Sequence, residues 1–336
     1  MIDVAIIGAG LMGRWHLDAA RRAGARVLGV IDPDLAAAGR LARLAPGAMA
    51  AATLDDLLAD RRIKAAHVCS PAATHLPIAL QLIDEGVDAL IEKPLAMNLA
   101  DTRIILERAA KKRVQVCPVH QYAFQRGVED AMAALPSLGQ VRRIGFDICS
   151  AGADIPGAPG GDTVAADILP HPISMLQRLA PGTDVGDLAW TVVRPAAGEL
   201  LATTVTGQTL VTLFISLNAR PTSFGVRVQA DGGTMEIDGF HGYAIRLNGQ
   251  VSQLAKITLP FERGLKGLAA ASTNLAARSV TGEAAYPGLR SLIRRFYASA
   301  CDSGAAPIPP EVALAAAAAR DHILAGLTQG SAHGRA

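Results

Sequence analysis

Three short stretches of this chain carry side chains whose types and spacing can do chemistry. In Ile91-Glu92-Lys93-Pro94-Leu95 an ionisable pair closes a short apolar run. Val87 to Ile91 reads as a buried strand, and Pro94 cannot continue a ladder because it has no amide donor. Such a strand delivers two charged groups to the C-terminal edge of a sheet, where open α/β sheets bind ligands. The second stretch is Gly8-Ala9-Gly10-Leu11-Met12-Gly13. The third, Asp167-Ile168-Leu169-Pro170-His171, sets an acid and a histidine four residues apart, a spacing that shares one helix face. Imidazole, with an ordinary pKa of about 6.5, can exchange protons near neutrality.

The glycine stretch gains meaning from its flanks. Ile2 to Ile7 is a compact run of strand length, and Leu11 to Ala23 follows helical spacing. In a strand–loop–helix turn of this kind, Gly8 makes the tight bend, Gly10 lets the backbone approach a pyrophosphate, and Gly13 lets helix and strand pack closely. The amides of the helix start, through Leu11 and Met12, offer free donors at a positive dipole end. The next strand, Arg26 to Ile31, ends on Asp32, where a dinucleotide fold places the acid for the adenosine ribose hydroxyls. A carboxylate there repels a 2′-phosphate, and no basic residue follows in Pro33-Asp34-Leu35, so NAD is expected over NADP. Asp32 could also cap a helix ahead of Pro33, or serve both purposes.

The elements that must position these groups follow in alternation. Thr53-Leu54-Asp55-Asp56 has a capping-box pattern. Ala65 to Cys69 reads as a strand ending on Ser70-Pro71, Thr74 opens a helix through Glu85, Asn98 caps a helix to Lys112, and Val114 to Cys117 is a further strand. Such βα alternation predicts a doubly wound parallel sheet. Beyond it, Gln121 to Leu135 is expected to be helical, Val141 to Ser150 a strand, and Ala151 to Gly161 a Gly/Ala/Pro-rich loop. Thr163 to Leu179 has helical spacing interrupted by Pro170 and Pro172. Strands then dominate from Ala189 to Leu247, with Asp231-Gly232-Gly233 as a hairpin turn, which predicts a large, mostly antiparallel open sheet. Asp231, Asp238 and His241 have no metal-ligand spacing and read as turn residues. Both faces of Thr209 to Leu217 carry apolar residues, as in a sheet covered on both sides. An oligomer would do this, and a monomer with helices over both faces would read the same. The structure of Arg263 to Gly282 stays open. Leu289 to Ser299 is an amphipathic helix with Arg290, Arg294 and Arg295 on a solvated face, and Pro309-Pro310-Glu311 starts a last helix.

Composition bounds the rest. At 336 residues with 50% hydrophobic and 18% charged side chains, the chain can bury a sizeable core and is expected to hold two domains. A net charge of +2 gives no electrostatic footprint for nucleic acid or an anionic membrane. Cys69, Cys117, Cys149 and Cys301 are widely spaced and read as packing residues in a reducing compartment. The N-terminus lacks the basic region of a signal peptide, and no apolar run is long enough to span a bilayer, so a cytoplasmic location is expected.

Taken in order, Gly8-x-Gly10-x-x-Gly13, Ser70-Pro71-x-x-x-His75 and Glu92-Lys93-Pro94-Leu95-Ala96 resemble the glucose–fructose oxidoreductase / inositol dehydrogenase / MocA family of nicotinamide-dependent enzymes. The resemblance implies a Rossmann domain over residues 1–119 and an α+β substrate and oligomerisation domain over 120–306. A C-terminal helix and tail, 307–336, would return to the first domain. It implies that Lys93 lies beside the nicotinamide and the substrate hydroxyl, and that Pro94 follows a cis peptide bond. Ser70, Pro71, His75 and Glu92 would join Gly8, Gly10, Leu11, Met12, Gly13, Asp32 and Lys93 along the cofactor. By the same resemblance, His171 is the candidate general acid/base, and Asp167 orients it or binds substrate. Lys93, with an ordinary pKa of about 10.4, would stay charged and polarise the carbonyl or alkoxide.

The chain also departs from that family's pattern. Ala72 replaces an asparagine, Leu169 a glycine, and Ser174 a polar acid. The usual Asn-x-Arg-Phe segment is Gln121-Tyr122-Ala123-Phe124, with His120 before it. A more apolar pocket of different shape follows, in which His120, Gln121 and Tyr122 are candidate lining residues. His120 could act in proton transfer, donate a hydrogen bond, or be structural. The implied activity is hydride transfer between NAD and a secondary alcohol or ketone of a sugar, nucleotide sugar or cyclic polyol. Two alternatives remain: a redox-neutral lyase or epimerase with tightly held NAD, and a non-catalytic NAD sensor. The implied partners are a small-molecule substrate and further copies of the chain, as a dimer or tetramer.

Overall fold

The computed structural model describes residues 1–151, 160–249, 252–283, 285–302 and 304–330. The chain divides into two compact units, Met1–His120 with Leu289–Ala317, and Gln121–Gly288 with Ala318–Ala336.

The first unit alternates strands and helices: β1 (Asp3–Ile7), α1 (Leu11–Arg22), β2 (Arg26–Ile31), α2 (Leu35–Ala42), β3 (Met49–Ala51), α3 (Leu54–Leu58), β4 (Ala65–Val68), α4 (His75–Asp84), β5 (Asp88–Ile91), α5 (Leu99–Lys112) and β6 (Val116–Pro118). Every pairing is parallel, in the order β3-β2-β1-β4-β5-β6. Helices on both faces explain why β4 and β5 are buried at every residue, with no polar alternation. Local chemistry sets the boundaries. Thr53 and Asp56 form a reciprocal capping box at α3, and the Asn98 side chain accepts from the Asp101 amide at α5. The order reverses at β1 and β4, so the C-terminal ends of these strands flank a natural ligand crevice.

The second unit comprises α6 (Arg126–Ala134), β7 (Val141–Cys149), α7 (Gly161–Ile168), α8 (Pro170–Leu179), β8 (Thr191–Val193), β9 (Glu199–Thr206), β10 (Thr209–Ser216), β11 (Ser223–Ala230), β12 (Gly233–Asp238), β13 (Tyr243–Asn248) and α9 (Gln253–Thr281). Its seven strands run in the order β13-β12-β11-β7-β10-β9-β8, antiparallel except for β7 beside β10. Ile144, Phe146, Ile148, Val211, Leu213, Ile215, Val226 and Val228 fill the face that is fully buried. On β10 the alternate residues Thr212 and Phe214 are half-buried and Leu210 is exposed.

Four expectations change. The helix read across Thr163–Leu179 is two helices meeting at Leu169. Pro170 and Pro172 have no amide to donate back, although Leu169 itself keeps helical angles. The helix read from Gln121 begins as a 3₁₀ turn over Gln121–Phe124, before α6. The segment left open around Arg263–Gly282 is helical through Thr281. Finally, α10 (Leu289–Asp302), grouped by sequence with the second domain, clusters with the first unit. Its buried face of Leu289, Leu292, Ile293, Phe296 and Tyr297 is the reason. The last helix, α11 (Pro310–Gly330), begins in the first unit and ends in the second. Most of the loop read over 151–161, and the tail over 331–336, lie outside the described residues. No described helix is long and apolar enough to cross a membrane.

Candidate functional site

The glycine loop between β1 and α1 is fixed by close approach. Gly8 has φ +100°, and a Cβ there would lie 2.7 Å from the Cys69 carbonyl carbon on the neighbouring strand end. A Cβ on Gly13 would lie 1.9 Å from the Gly8 carbonyl oxygen. A Cβ on Gly10 would meet nothing within 4 Å, so it would fill the open space that a ligand must approach through. Gly10 caps α1 without a side chain, which leaves donors of its first turn unspent. This open cradle with amide donors fits a pyrophosphate. Asp32, at the end of β2, accepts from the Ala9 amide at 2.8 Å and from the Asp34 amide at 2.9 Å, tying it to the glycine loop. The alternative reading of Asp32 as a helix cap does not hold, because Asp34 is the residue that caps α2.

Behind Lys93 lies a chain of buried polar side chains. Glu92 Oε2 accepts from the Lys93 amide at 3.1 Å, and Glu92 Oε1 is 2.9 Å from His16 Nε2. His16 Nδ1 is 2.9 Å from His67 Nδ1, and His67 Nε2 is 2.7 Å from the Tyr297 hydroxyl. Proton positions follow from the one member that can only accept. With Glu92 ionised, His16 Nε2–H donates to it, His67 Nδ1–H donates to His16, and Tyr297 O–H donates to His67. Every member is then satisfied in one direction. Burial first, and then the neighbouring His16, drives the pKa of His67 well below its ordinary value. Burial and then the Glu92 charge raise the Cys69 thiol, which argues for a packing role.

Other sheet-edge residues brace the backbone. His75 is buried, with Nδ1 2.9 Å from the Pro94 carbonyl and Nε2 3.0 Å from the Ser70 carbonyl. It therefore bridges the Ser70-Pro71 turn and the Lys93-Pro94 turn, and as a neutral ring it donates to one of the two carbonyls. The Thr74 hydroxyl, 2.7 Å from both Ser70 Oγ and the Pro71 carbonyl, shapes the same turn. The Lys93–Pro94 peptide is cis. His120 ends the edge after β6. Burial lowers its pKa to about 4, with Glu92 raising it and Lys93 lowering it, so near neutrality the ring is uncharged. That argues against general acid/base work and for hydrogen bonding.

In the second unit, Asp167 sits exposed in the last turn of α7 and His171 half-buried in the first turn of α8. The Tyr122 ring meets His171 edge-on, with centroids 4.5 Å apart, and packs on Phe224 at 5.2 Å. Burial raises the Tyr122 phenol to about 12, so it stays a neutral donor. Ser174 donates to the His171 carbonyl at 2.8 Å. Gln121 is buried beside Tyr122 in the chain. The half-buried Arg320 of α11 has its pKa lowered by burial and raised by Asp321 and Asp167, so it belongs to the same electrostatic neighbourhood.

The structure thus gathers Gly8, Gly10, Gly13, Asp32, Ser70, Pro71, His75, Glu92, Lys93 and His120 at strand ends of one unit. It gathers Tyr122, Asp167 and His171 in the other. Sequence reasoning missed His16, His67, Tyr297 and Arg320. One signal was available: His67 interrupts an apolar strand, Ala65-Ala66-His67-Val68, and a buried polar group needs a partner.

Comparison with known proteins places this geometry. Residues 2–120 match the family described as an oxidoreductase family with an NAD-binding Rossmann fold. The inositol 2-dehydrogenase of Corynebacterium glutamicum strain R is 34% identical over 112 residues, 33% of this chain and 33% of that protein. The inositol 2-dehydrogenase of Arthrobacter sp. strain FB24 is 35% identical over 147 residues, 42% of this chain and 41% of that protein. The matched part thus spans well under half the length of these curated relatives. The WlbA dehydrogenase of Bordetella pertussis, solved with NADH and UDP-GlcNAcA, aligns over 98% of this chain and 96% of its own, with TM-score 0.76 and 14% identity. UDP-N-acetylglucosamine 3-dehydrogenase GnnA from Acidithiobacillus ferrooxidans aligns over 98% of each chain with TM-score 0.72 and 16% identity, a likeness of fold alone. Through its first 120 residues, this chain is thus similar to the NAD-binding Rossmann domain of that oxidoreductase family and of the inositol 2-dehydrogenases.

Proposed function

We propose that this protein is an NAD-dependent oxidoreductase acting on a secondary alcohol, or its ketone, of a sugar, nucleotide sugar or cyclic polyol. The observation that carries the reading is the convergence at one sheet edge of the open glycine cradle, Asp32 and a braced Lys93. Gly8, Gly10, Gly13 and the amides of Leu11 and Met12 would hold the pyrophosphate, and Asp32 the adenosine ribose. Bound NAD would supply the hydride acceptor or donor. Lys93 stabilises negative charge developing on the substrate oxygen, and Glu92 and His75 hold its backbone in place. His171 takes the hydroxyl proton on oxidation and returns it on reduction, with Asp167 orienting the ring or binding substrate. Tyr122 limits the ring's movement from one side and keeps that surface apolar.

The test is turnover with added NAD against cyclic polyols, free sugars and nucleotide sugars. Replacing His171 with Ala is expected to lower turnover by roughly 10²–10⁴ while NAD affinity is unchanged. Near-normal turnover in that variant removes His171 from the mechanism. Stoichiometric NAD in the purified protein, with none consumed, redirects the reading to a redox-neutral lyase or epimerase.

A further inference from the structure

We propose that α9 is a docking surface for a second copy of this chain, paired antiparallel across a two-fold axis. This goes beyond the proposed activity and is independent of it. The helix runs 29 residues, Gln253–Thr281, without one buried residue. Leu254, Ile257, Phe261, Leu265, Leu268 and Leu275 are each 67–71% exposed. Together they form one stripe at helical spacing, and Leu254, Phe261, Leu268 and Leu275 repeat every seven residues. A monomer that leaves six large apolar side chains in a row in water departs from the usual surface pattern.

The opposite side of α9 is already committed. Arg263 donates to Glu236 at 2.9 Å and Lys266 to the Arg246 carbonyl at 2.8 Å. Asn274 and Arg278 donate to the His241 carbonyl at 2.9 and 3.2 Å. These polar residues fasten α9 to the sheet edge at β12 and β13 and turn the apolar stripe outward. They also leave few cations for lipid headgroups, which a membrane-surface helix would display beside its apolar face.

The spacing favours this chain itself as the occupant. An axis between Gly264 and Leu265 sets Leu254 against the partner's Leu275 and Phe261 against the partner's Leu268. Gly264 then meets the partner's Leu265, so the pattern is self-complementary. A parallel pairing would stack Phe261 on its own copy and leave Gly264 facing glycine, an overfilled layer beside a hollow one. The stripe offers roughly 400 Å² of apolar surface per protomer, or about 1,300 Å² in all once the polar share is added. A stable interface needs about 1,200–2,000 Å². Along about 43 Å of helix, this stripe is long enough to close a dimer.

The test is sedimentation of the full chain carrying Phe261→Lys or Leu268→Glu. Each variant alone is expected to weaken self-association roughly 10²-fold or more, halving the assembly's mass, because a charge is buried unpaired. Mixing the two is expected to restore the wild-type mass. Antiparallel pairing then sets the introduced lysine against the introduced glutamate at one end, and the remaining Phe261 against the remaining Leu268 at the other. Because these side chains are exposed in the single chain, the variants should unfold at the temperature of wild-type protein diluted until it dissociates. If either variant misfolds, Phe261→Ser and Leu268→Ser measured alike carry the same test. A monomeric wild type at every attainable concentration, or variants of wild-type mass, overturns the proposal. So does wild-type binding to phosphatidylserine vesicles as a monomer through α9. Loss without rescue in the mixture overturns the antiparallel register.

Discussion

Behind Lys93, four buried polar side chains satisfy one another end to end. Beside Tyr122, the buried Oε1 of Gln121 and both side-chain amide atoms of Gln125 meet no hydrogen-bonding partner among the described residues. In the first arrangement every donor and acceptor finds a partner, so it fixes geometry. The second retains unspent polar capacity among apolar neighbours, so it constrains little. Under the proposed function this difference would divide the labour: the first unit would hold the cofactor and Lys93 in a fixed frame, and the second would leave room for substrate recognition.

The largest expected effect tests what that frame serves. Lys93→Met should lower turnover roughly 10²–10³-fold, the size of a lost oxyanion donor, with the fold intact. Steady-state kinetics on the substrate found in the screen measure it. A variant that loses only substrate affinity would mean that Lys93 binds and does not activate, and the comparison would lose its chemical side.

Next comes the acid limb of stability. His120 has a native pKa of about 4, against about 6.5 in an unfolded chain. Between these values the unfolded state binds the extra proton, so stability is fully present above about pH 6.5 and falls as pH drops toward 4. The loss from His120 amounts to about 3 kcal/mol, and His67 contributes in the same direction. Urea unfolding at several pH values should show His120→Asn with a shallower acid limb than wild type. An unchanged limb would leave His120 outside the buried frame.

Within the frame, Glu92→Gln keeps shape but not acceptor count. Its amide nitrogen must face either the Lys93 N–H or the His16 N–H, a donor against a donor. A loss of about 1–3 kcal/mol in unfolding free energy is expected. Wild-type stability in this variant would show that the proton directions assigned along the chain are reversed.

How much of this was legible depends on where the signal lies. The parallel sheet, the glycine cradle, Asp32 and the Glu92-Lys93-Pro94 edge were readable because each is local: a strand, a turn and a helix start within a few residues. The buried side chains behind Glu92 were not, since His67 and Tyr297 are 230 positions apart and meet only after α10 folds onto the first unit. The break between α7 and α8 was foreshadowed by two prolines, whereas helical angles at Leu169 depend on packing. α9 resisted reading for a different reason. Its apolar residues face away from any core of the single chain, so its periodicity had no sheet pattern to join.

The smallest effects set the two regions against each other directly. Tyr297→Phe removes the donor to His67 Nε2 and leaves a buried acceptor alone, so unfolding free energy should fall by about 1–2 kcal/mol. Gln125→Met removes an amide whose atoms have no protein partner among the described residues, at similar volume, and should stay within about 1 kcal/mol of wild type in either direction. Measured side by side by urea unfolding at neutral pH, the pair tests satisfied against unsatisfied burial with conservative changes. Should Gln125→Met cost as much as Tyr297→Phe, its amide is engaged by something other than the described side chains. The second unit would then be as tightly specified as the first. A loss of substrate affinity in Gln125→Met without a loss of stability would instead make that amide a recognition group, the outcome that most sharpens the contrast between the two units.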